Sequence, residues 1–303
     1  MQDNVSMLHT EQRNPDTVGI ADLSTLDMMK KINNEDKKVA YAVEQALPAV
    51  AAAVDLIAAR LAQGGRMLYV GAGTSGRLGY MDAAECGPTY GMPYETVSCV
   101  MAGGRDAVFQ AQESVEDRPD CAVADLQARN LTAKDVVVAA AASGRTPYCI
   151  GALDYARSIG AGAVSLACNP NAVLSAHADV AIEVDCGPEA VMGSTRMKAG
   201  SAQKMIMNML STGAMIKIGR TQDNLMVCMH ARNEKIAIRS VRLFKEATGC
   251  EDEQTARQYL QDAGNEMCYA VLMYKTGCTR EQAAEAMKNK ISFHTALEKL
   301  RNR

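Results

Sequence analysis

The 303-residue sequence has no marked excess of charge of either sign, because 32 basic and 35 acidic side chains leave a net charge of −3. This balance predicts neither a surface for nucleic acid nor an acidic tail. The sequence has no apolar run of the about 18 residues that a membrane span needs, and residues 1–20 lack the apolar core of a signal sequence. We therefore expect a cytoplasmic protein that acts on small molecules, with no membrane or nucleic-acid partner.

Closely spaced cysteines are also absent. The 10 cysteines form no C-x-x-C pair, and most lie inside apolar stretches, which is typical of reduced, buried thiols. His230 and His294 stand outside any group of metal ligands, so the sequence predicts no metal and no cofactor. Hydrophobic residues, by contrast, make up 48% of the chain, which is enough for the core of one large domain with an appendage.

The most informative segment, 67–85, predicts a strand, a tight turn and a helix. Apolar residues 67–70 are typical of a strand, glycines then permit the turn, and apolar residues recur at helical spacing. The free N–H groups of a helix N-terminus attract an anion, to which hydroxyl donors and a fixed positive charge contribute. The candidate anion-binding residues of this turn are Gly73, Thr74, Ser75 and Arg77.

Two other interpretations of this turn stay open. Its glycine spacing matches the dinucleotide-binding pattern G-x-G-x-x-G, but the next strand, 96–101, ends in Ala-Gly-Gly where that pattern needs an acidic residue. A Walker loop is excluded because no Lys-Ser/Thr follows the last glycine. The turn could also be purely structural, and a phosphate monoester site is the interpretation that we favour.

A second turn of this kind follows the apolar run 136–141, which is typical of a strand buried on both faces of a parallel sheet. Pro147 suits the first turn of the helix that follows. Since ligands of open α/β sheets bind at the carboxyl ends of the strands, we expect the two turns to hold one phosphate in a shared crevice. The candidate residues of the second turn are Ser143, Gly144, Arg145 and Thr146.

A third segment, 187–200, precedes a long helix that Ser194 or Thr195 is expected to cap. Ser194 and Lys198 could reach the same crevice, although a capped structural helix explains them nearly as well. A separate helix predicted over 106–117 ends in an acidic group, and solvated carboxylates explain most groups of this kind. The members of this group are Glu113, Glu116 and Asp117.

The alternation of strands and helices predicts an α/β fold, a three-layer αβα sandwich around a parallel sheet, with a small helical module at the C-terminus. The expected divisions are an N-terminal arm with helices over 1–56, the sheet domain over 57–220 and the helical module over 221–303. Polar residues 1–34 favour a surface arm, and Pro48 is expected to bend or split the first long helix.

Four segments of the chain carry a resemblance to a known family: TEQRNP at 10–15, YVGAGTSGR at 69–77, ASGRTPY at 142–148 and GSTRMKAG at 193–200. Together they resemble the N-acetylmuramic acid 6-phosphate etherase family. This resemblance implies a sugar isomerase (SIS) domain that binds phosphosugars, a homodimer with residues of both subunits near the site, and similarity to the glucokinase regulatory protein.

The resemblance also implies two catalytic acids. Residues 82–86 match the family's Asp-Ala-Ser-Glu-Cys apart from Ala84, which makes Glu85 the proton donor. Glu116 falls on the second acid, with Glu113 and Asp117 as alternatives. The implied reaction is cleavage of the lactyl ether of N-acetylmuramate 6-phosphate by water, without a metal.

Two carboxyl groups suit an elimination in which Glu116 takes the acidic C2 proton of the open-chain sugar and Glu85 protonates the departing lactyl oxygen. This assignment expects Glu85 to face the crevice formed by the two turns. A phosphosugar isomerase and a non-catalytic phosphosugar sensor remain as alternatives. A DNA-binding regulator would need a helix-turn-helix, for which the N-terminal arm is too short and not basic enough.

Overall fold

The structure, a computed structural model, describes residues 5–110, 112–229, 234–288 and 292–302. Its centre is a five-stranded sheet with the order β2-β1-β3-β4-β5, in which every neighbouring pair is parallel. The predicted parallel sheet is confirmed. The strands are β1 (Met67–Gly71), β2 (Val97–Met101), β3 (Val136–Ala141), β4 (Gly162–Ala167) and β5 (Val180–Glu183).

Helices cover both faces of the sheet, because alternate strand residues point to opposite sides. Met67 and Tyr69 pack into one apolar core with α2, α3 and α6, whereas Leu68 and Val70 pack into a second core with α4 and α5. The three-layer sandwich is therefore confirmed. These helices are α1 (Thr25–Gln45), α2 (Leu47–Ala62), α3 (Gly73–Tyr90), α4 (Pro119–Ala128), α5 (Pro147–Ser158) and α6 (Lys198–Lys217).

Pro48 splits the first long helix, since α1 ends and α2 begins around it with a bend of 61°. A proline suits the first turn of α2, where its missing N–H leaves no hydrogen bond unmade. Among the described helices, none alone has the length and apolar character to cross a membrane, while the bent pair of α1 and α2 meets those two criteria together.

The helix predicted over 106–117 is wrong. The described part of this segment contains two short 3-10 turns, Arg105–Val108 and Glu113–Val115. The guanidinium of Arg77 donates to the carbonyl oxygens of Ala107 (2.8 Å) and Val108 (2.9 Å). These oxygens would be acceptors within a continuing α-helix, so a contact from α3 replaces the predicted helical bonds.

The start of α6 also differs from the prediction, because the helix begins at Lys198 and neither Ser194 nor Thr195 caps it. The carboxylate of Glu189, which is fully buried, accepts the first backbone N–H groups instead, from Lys198 (2.8 Å) and Ala199 (3.0 Å). A negative charge suits this position at the positive end of the helix dipole.

The N-terminal arm is not the loose surface arm that its composition predicts. Thr10, Asn14 and Thr17 are buried. Thr10 donates its N–H to the side chain of Asn169 (3.2 Å), and the Thr17 hydroxyl donates to the Ala190 carbonyl (2.9 Å). These bonds fix the arm against the segments that follow β4 and β5.

The C-terminal residues form a helical module with its own apolar core, which includes Phe244, Met267, Val271 and Phe293. The helix predicted over 224–249 begins at Glu234, and His230 lies outside the described residues. The helices are α7 (Glu234–Thr248), α8 (Glu253–Asp262), α9 (Met267–Thr276), α10 (Arg280–Ala286) and α11 (Phe293–Arg301).

Candidate active site

A cleft of about 190 Å³ opens at the carboxyl ends of β1 and β3. These two strands are neighbours in the sheet, but the connection after β1 leads to β2 at one edge and the connection after β3 leads to β4 on the other side. Parallel sheets bind ligands at such a topological switch point. Both predicted turns border this one cleft. Its lining consists of Glu11, Ala72, Gly73, Thr74, Ser75, Glu116, Ala140, Ala141, Ala142, Ser143, Thr146 and Thr195.

The turn after β1 contributes mainly backbone and Thr74 to the cleft. The helix α3 starts at Gly73, which has φ +50°, so Thr74 and Ser75 lie in the first helical turn with free N–H groups. The buried Ser75 hydroxyl donates to Gln203 Oε1 (2.9 Å) on α6. The Arg77 side chain holds the carbonyl groups after β2 and is absent from the lining, so its predicted role as an anion ligand has no support in its contacts.

The turn after β3 needs glycine at one position. Gly144 has φ +71°, and a Cβ added there would lie 2.5 Å from the Cβ of Ala172. The N–H of Arg145 donates to Ser143 Oγ (3.3 Å), which closes a small turn beside the start of α5. The Arg145 side chain is not among the groups that line the cleft.

Glu116 meets this second turn at the N-terminus of α5. The Thr146 hydroxyl donates to Glu116 Oε1 (3.0 Å), and the Tyr148 N–H donates to the Glu116 carbonyl (3.0 Å). The predicted position of Glu116 at the unfavourable end of a helix is wrong, because the half-buried carboxylate lies beside a helix N-terminus, where the dipole favours negative charge.

Two lining residues with polar side chains, Glu11 and Thr195, were not predicted as site residues. Asn169 holds the arm beside the cleft, since its side chain accepts the Thr10 N–H (3.2 Å) and donates to the Ala142 carbonyl (3.0 Å). Glu11 lies near Gly193, because a Cβ atom added at residue 193 would be 3.6 Å from Glu11 Oε2. Their only signal in the sequence is membership of the segments 10–15 and 193–200.

Lys198 lies outside the cleft, against the prediction. Its ammonium is 1% exposed and lies 2.6 Å from Glu35 Oε2. Glu35 also binds Lys38 through Oε1 (2.6 Å) and Asn14 through Oε2 (2.8 Å). Burial acts to raise the pKa of Glu35, and the bonds from Lys198, Lys38 and Asn14 outweigh it, so that the pKa falls from 4.5 to about 2. We call Asn14, Glu35, Lys38 and Lys198 the arm anchor.

Curated relatives decide the family. An etherase of Erwinia tasmaniensis named N-acetylmuramic acid 6-phosphate etherase is 51% identical over 284 residues, which cover 94% of this chain and 92% of the relative. Etherases of the same name from Clostridium beijerinckii (46% identical, 99% of each chain) and Rhizobium rhizogenes (48%, covering 95% of this chain and 94% of the relative) agree. This chain belongs to the N-acetylmuramic acid 6-phosphate etherase family.

Family models match smaller parts of the chain. The N-terminal SIS domain of the glucokinase regulatory protein matches residues 49–157, a general SIS domain matches 115–213, and a UBA-like domain matches 239–274. A solved phosphoheptose isomerase of Neisseria gonorrhoeae has a TM-score of 0.50 at 17% identity and covers 63% of this chain and 98% of its own. The last comparison shows a common fold.

Glu85, to which the resemblance to etherases gives the role of proton donor, does not line the cleft of its own chain. It is exposed on α3, eleven residues beyond Thr74, which corresponds to about 16 Å along the helix axis. Eleven residues are close to three full turns, so Glu85 and Thr74 lie on the same face of α3. The single chain therefore brings Glu116 to the cleft and leaves Glu85 at the surface.

Proposed function

We propose that the cleft is the site at which this etherase cleaves the lactyl ether of N-acetylmuramate 6-phosphate with water, releasing N-acetylglucosamine 6-phosphate and D-lactate. The supporting observation is that Thr146 orients the carboxylate of Glu116 in the cleft between two helix N-termini. We place this lyase in the cytoplasmic breakdown and recycling of cell-wall amino sugars.

The phosphate is bound, in this proposal, between the N-termini of α3 and α5. Free N–H groups of the first turn of α3 and the hydroxyls of Thr74 and Ser143 can donate to it, and the positive ends of both dipoles favour its charge. Gly73 allows the backbone to approach closely, Gly144 permits the shape of the second turn, and Ser75 takes part through its N–H because its hydroxyl already binds Gln203. Thr146 links this anchor to Glu116.

The reaction proceeds by elimination and then addition of water. In the open-chain sugar the C1 carbonyl acidifies the C2 proton, which Glu116 removes as a general base. A neutral carboxyl group protonates the lactyl oxygen as its bond to C3 breaks, which leaves a C2–C3 double bond. Water then adds its hydroxyl to C3 while C2 regains a proton, and the two carboxyl groups return to their first states.

We propose that the neutral carboxyl is Glu85 of a second subunit in a homodimer. Glu85 is too far along α3 to share a sugar with Glu116 of the same chain. Its face of α3 is open, and the neighbouring Met81 is 45% exposed, as expected for a helix that packs against another copy. A two-fold contact would supply one Glu85 to each cleft.

Mixing two inactive variants tests this arrangement. Glu85→Gln and Glu116→Gln dimers should each lose most D-lactate release. After subunit exchange at equal concentrations, half of the dimers contain one chain of each kind, and one of their two sites is intact. About a quarter of wild-type activity should return. Exchange without recovery would show that both acids act within one chain, or that Glu85 is not the acid.

The direct test is D-lactate release from N-acetylmuramate 6-phosphate by the purified protein. Binding without release would indicate a sensor, and conversion of aldose to ketose phosphates would indicate an isomerase. N-acetylmuramate without the phosphate should be a very poor substrate, since remote binding energy is lost. In heavy water, Glu116→Ala should stop deuterium incorporation at C2, and full incorporation in that variant would exclude Glu116 as the base.

A further inference from the structure

A groove of about 350 Å³ lies between α3 and α6 and adjoins the cleft. Thr74 lines both spaces, and Thr195 of the cleft is followed directly by Arg196 of the groove. A ligand that leaves the cleft across Thr74 therefore enters this groove. The groove is lined by Thr74, Leu78, Arg196, Gly200, Ser201, Lys204 and Met205.

The charges of the two spaces differ. Among the described residues that line the cleft, none is cationic and two are carboxylates, Glu11 and Glu116. The groove has no carboxylate in its described lining and has two exposed cations, Arg196 and Lys204. Neither cation forms an ion pair with another described residue, in contrast to Lys198, which lies between them in the sequence and is bound to Glu35.

Resting on the function proposed above, we propose that this groove binds the lactyl carboxylate of the substrate through Arg196 and Lys204. The substrate carries two anions, the phosphate on C6 and the carboxylate of the ether substituent on C3, which lie on different sides of the sugar. With the phosphate at the two helix N-termini, the sugar spans Thr74 and its C3 substituent reaches the groove. A guanidinium can bind a carboxylate through two parallel hydrogen bonds.

Gly200 keeps the passage between the two spaces open. A Cβ added at residue 200 would lie 3.5 Å from Thr74 Cγ2, so any side chain longer than alanine would extend into the space beside Thr74. The surface that α6 presents at this point therefore consists of backbone atoms only. The same groove explains how the enzyme distinguishes its substrate from its sugar product, because N-acetylglucosamine 6-phosphate has the phosphate but lacks the carboxylate.

The experiment compares two ligands in Arg196→Met, Lys204→Met and the double variant. Each single change should raise the KM for N-acetylmuramate 6-phosphate by about 10- to 100-fold, as expected for a lost hydrogen bond to a charged group. The inhibition constant of N-acetylglucosamine 6-phosphate should stay within about twofold of the wild-type value. Lys217→Met, on the same helix but beyond the groove, is the matched control and should leave both constants unchanged.

A 3-O-ethyl analogue of N-acetylglucosamine 6-phosphate, which lacks the carboxylate, should react equally slowly with wild-type and variant enzymes. Equal weakening of both ligands in the variants, or a normal KM together with dissociation of the dimer, would overturn the proposal and assign the cations to another role. Failure of the function itself would be seen separately, as absence of D-lactate release from the wild-type protein.

Discussion

The cleft and the arm anchor both contain a glutamate held by polar neighbours, yet they differ in how many of its oxygens are occupied. In the arm anchor, both oxygens of Glu35 accept bonds, from Lys38 on one side and from Lys198 and Asn14 on the other. In the cleft, Glu116 Oε1 accepts from Thr146, and Oε2 has no donor among the described residues. A carboxylate with spare capacity and access to a cleft can act on a ligand, whereas a saturated one stabilises the fold.

The largest expected effect is a loss of activity on substitution of Glu116, the glutamate of the cleft. Glu116→Gln should lower kcat by about 10²- to 10⁴-fold, because one general base is lost. Its thermal unfolding midpoint should stay close to that of the wild type. Asp117→Asn, the exposed neighbour, is the matched control, and a larger loss in that variant would move the base from Glu116 to Asp117.

Removing the buried cation of the arm anchor should act on stability instead. Lys198→Met leaves Glu35 without its buried cationic partner, which should cost about 3–5 kcal/mol of unfolding free energy. Lys38→Met, whose side chain is 49% exposed, should cost less than about 1 kcal/mol. Urea denaturation measures both, and equal losses in the two variants would contradict the distinction between buried and exposed partners.

The arm anchor also predicts how stability depends on pH. The folded pKa of Glu35 is about 2, below the ordinary value of 4.5, so the ionised form favours folding. This contribution, about 3 kcal/mol, is complete above pH 4.5 and is lost as the pH falls towards 2. The difference in unfolding free energy between wild type and Glu35→Gln should therefore shrink on acidification, and a difference that is constant between pH 6 and 3 would contradict it.

The smallest expected effects compare hydroxyls of the two turns. Thr146→Val removes the donor to Glu116 and should lower kcat/KM about tenfold, equivalent to one ordinary hydrogen bond. Ser75→Ala removes the bond to Gln203 and should reduce unfolding free energy by about 1 kcal/mol, with a smaller loss of kcat/KM because the Ser75 N–H remains. A larger loss of kcat/KM in Ser75→Ala than in Thr146→Val would contradict this assignment of Thr146 to activity and Ser75 to stability.

The sheet and both turns could be predicted because their signals are local. The strand prediction 67–70 differs from β1 by one residue, and the prediction 136–141 has the observed bounds of β3. Apolar runs of strand length and glycines with positive φ, such as Gly144, depend on neighbours in the sequence. The observed N-caps Ser24 and Ser292 are local features of the same kind, since an N-cap acts within one helical turn.

The errors depend on contacts between distant residues. Lys198 was predicted in the site, but its partner Glu35 is 163 residues earlier. The segment 106–117 was predicted as a helix, but Arg77 on α3 takes two of its carbonyl oxygens. The docking of Glu11 depends on Asn169, 159 residues from the neighbouring Thr10. No spacing rule within one helix or strand contains this information.

The attachment of the arm has a consequence for synthesis on the ribosome. Thr10 and Glu35 emerge early, but their partners Asn169 and Lys198 follow 159 and 163 residues later. At about 5–20 residues per second, the first residues wait roughly 10–30 seconds for a place to dock. The glycine turns can form within that interval, whereas the arm segment that carries Glu11 can dock only after Asn169 has been synthesised. A nascent chain would thus acquire both turns of the proposed phosphate site before its N-terminal arm is attached.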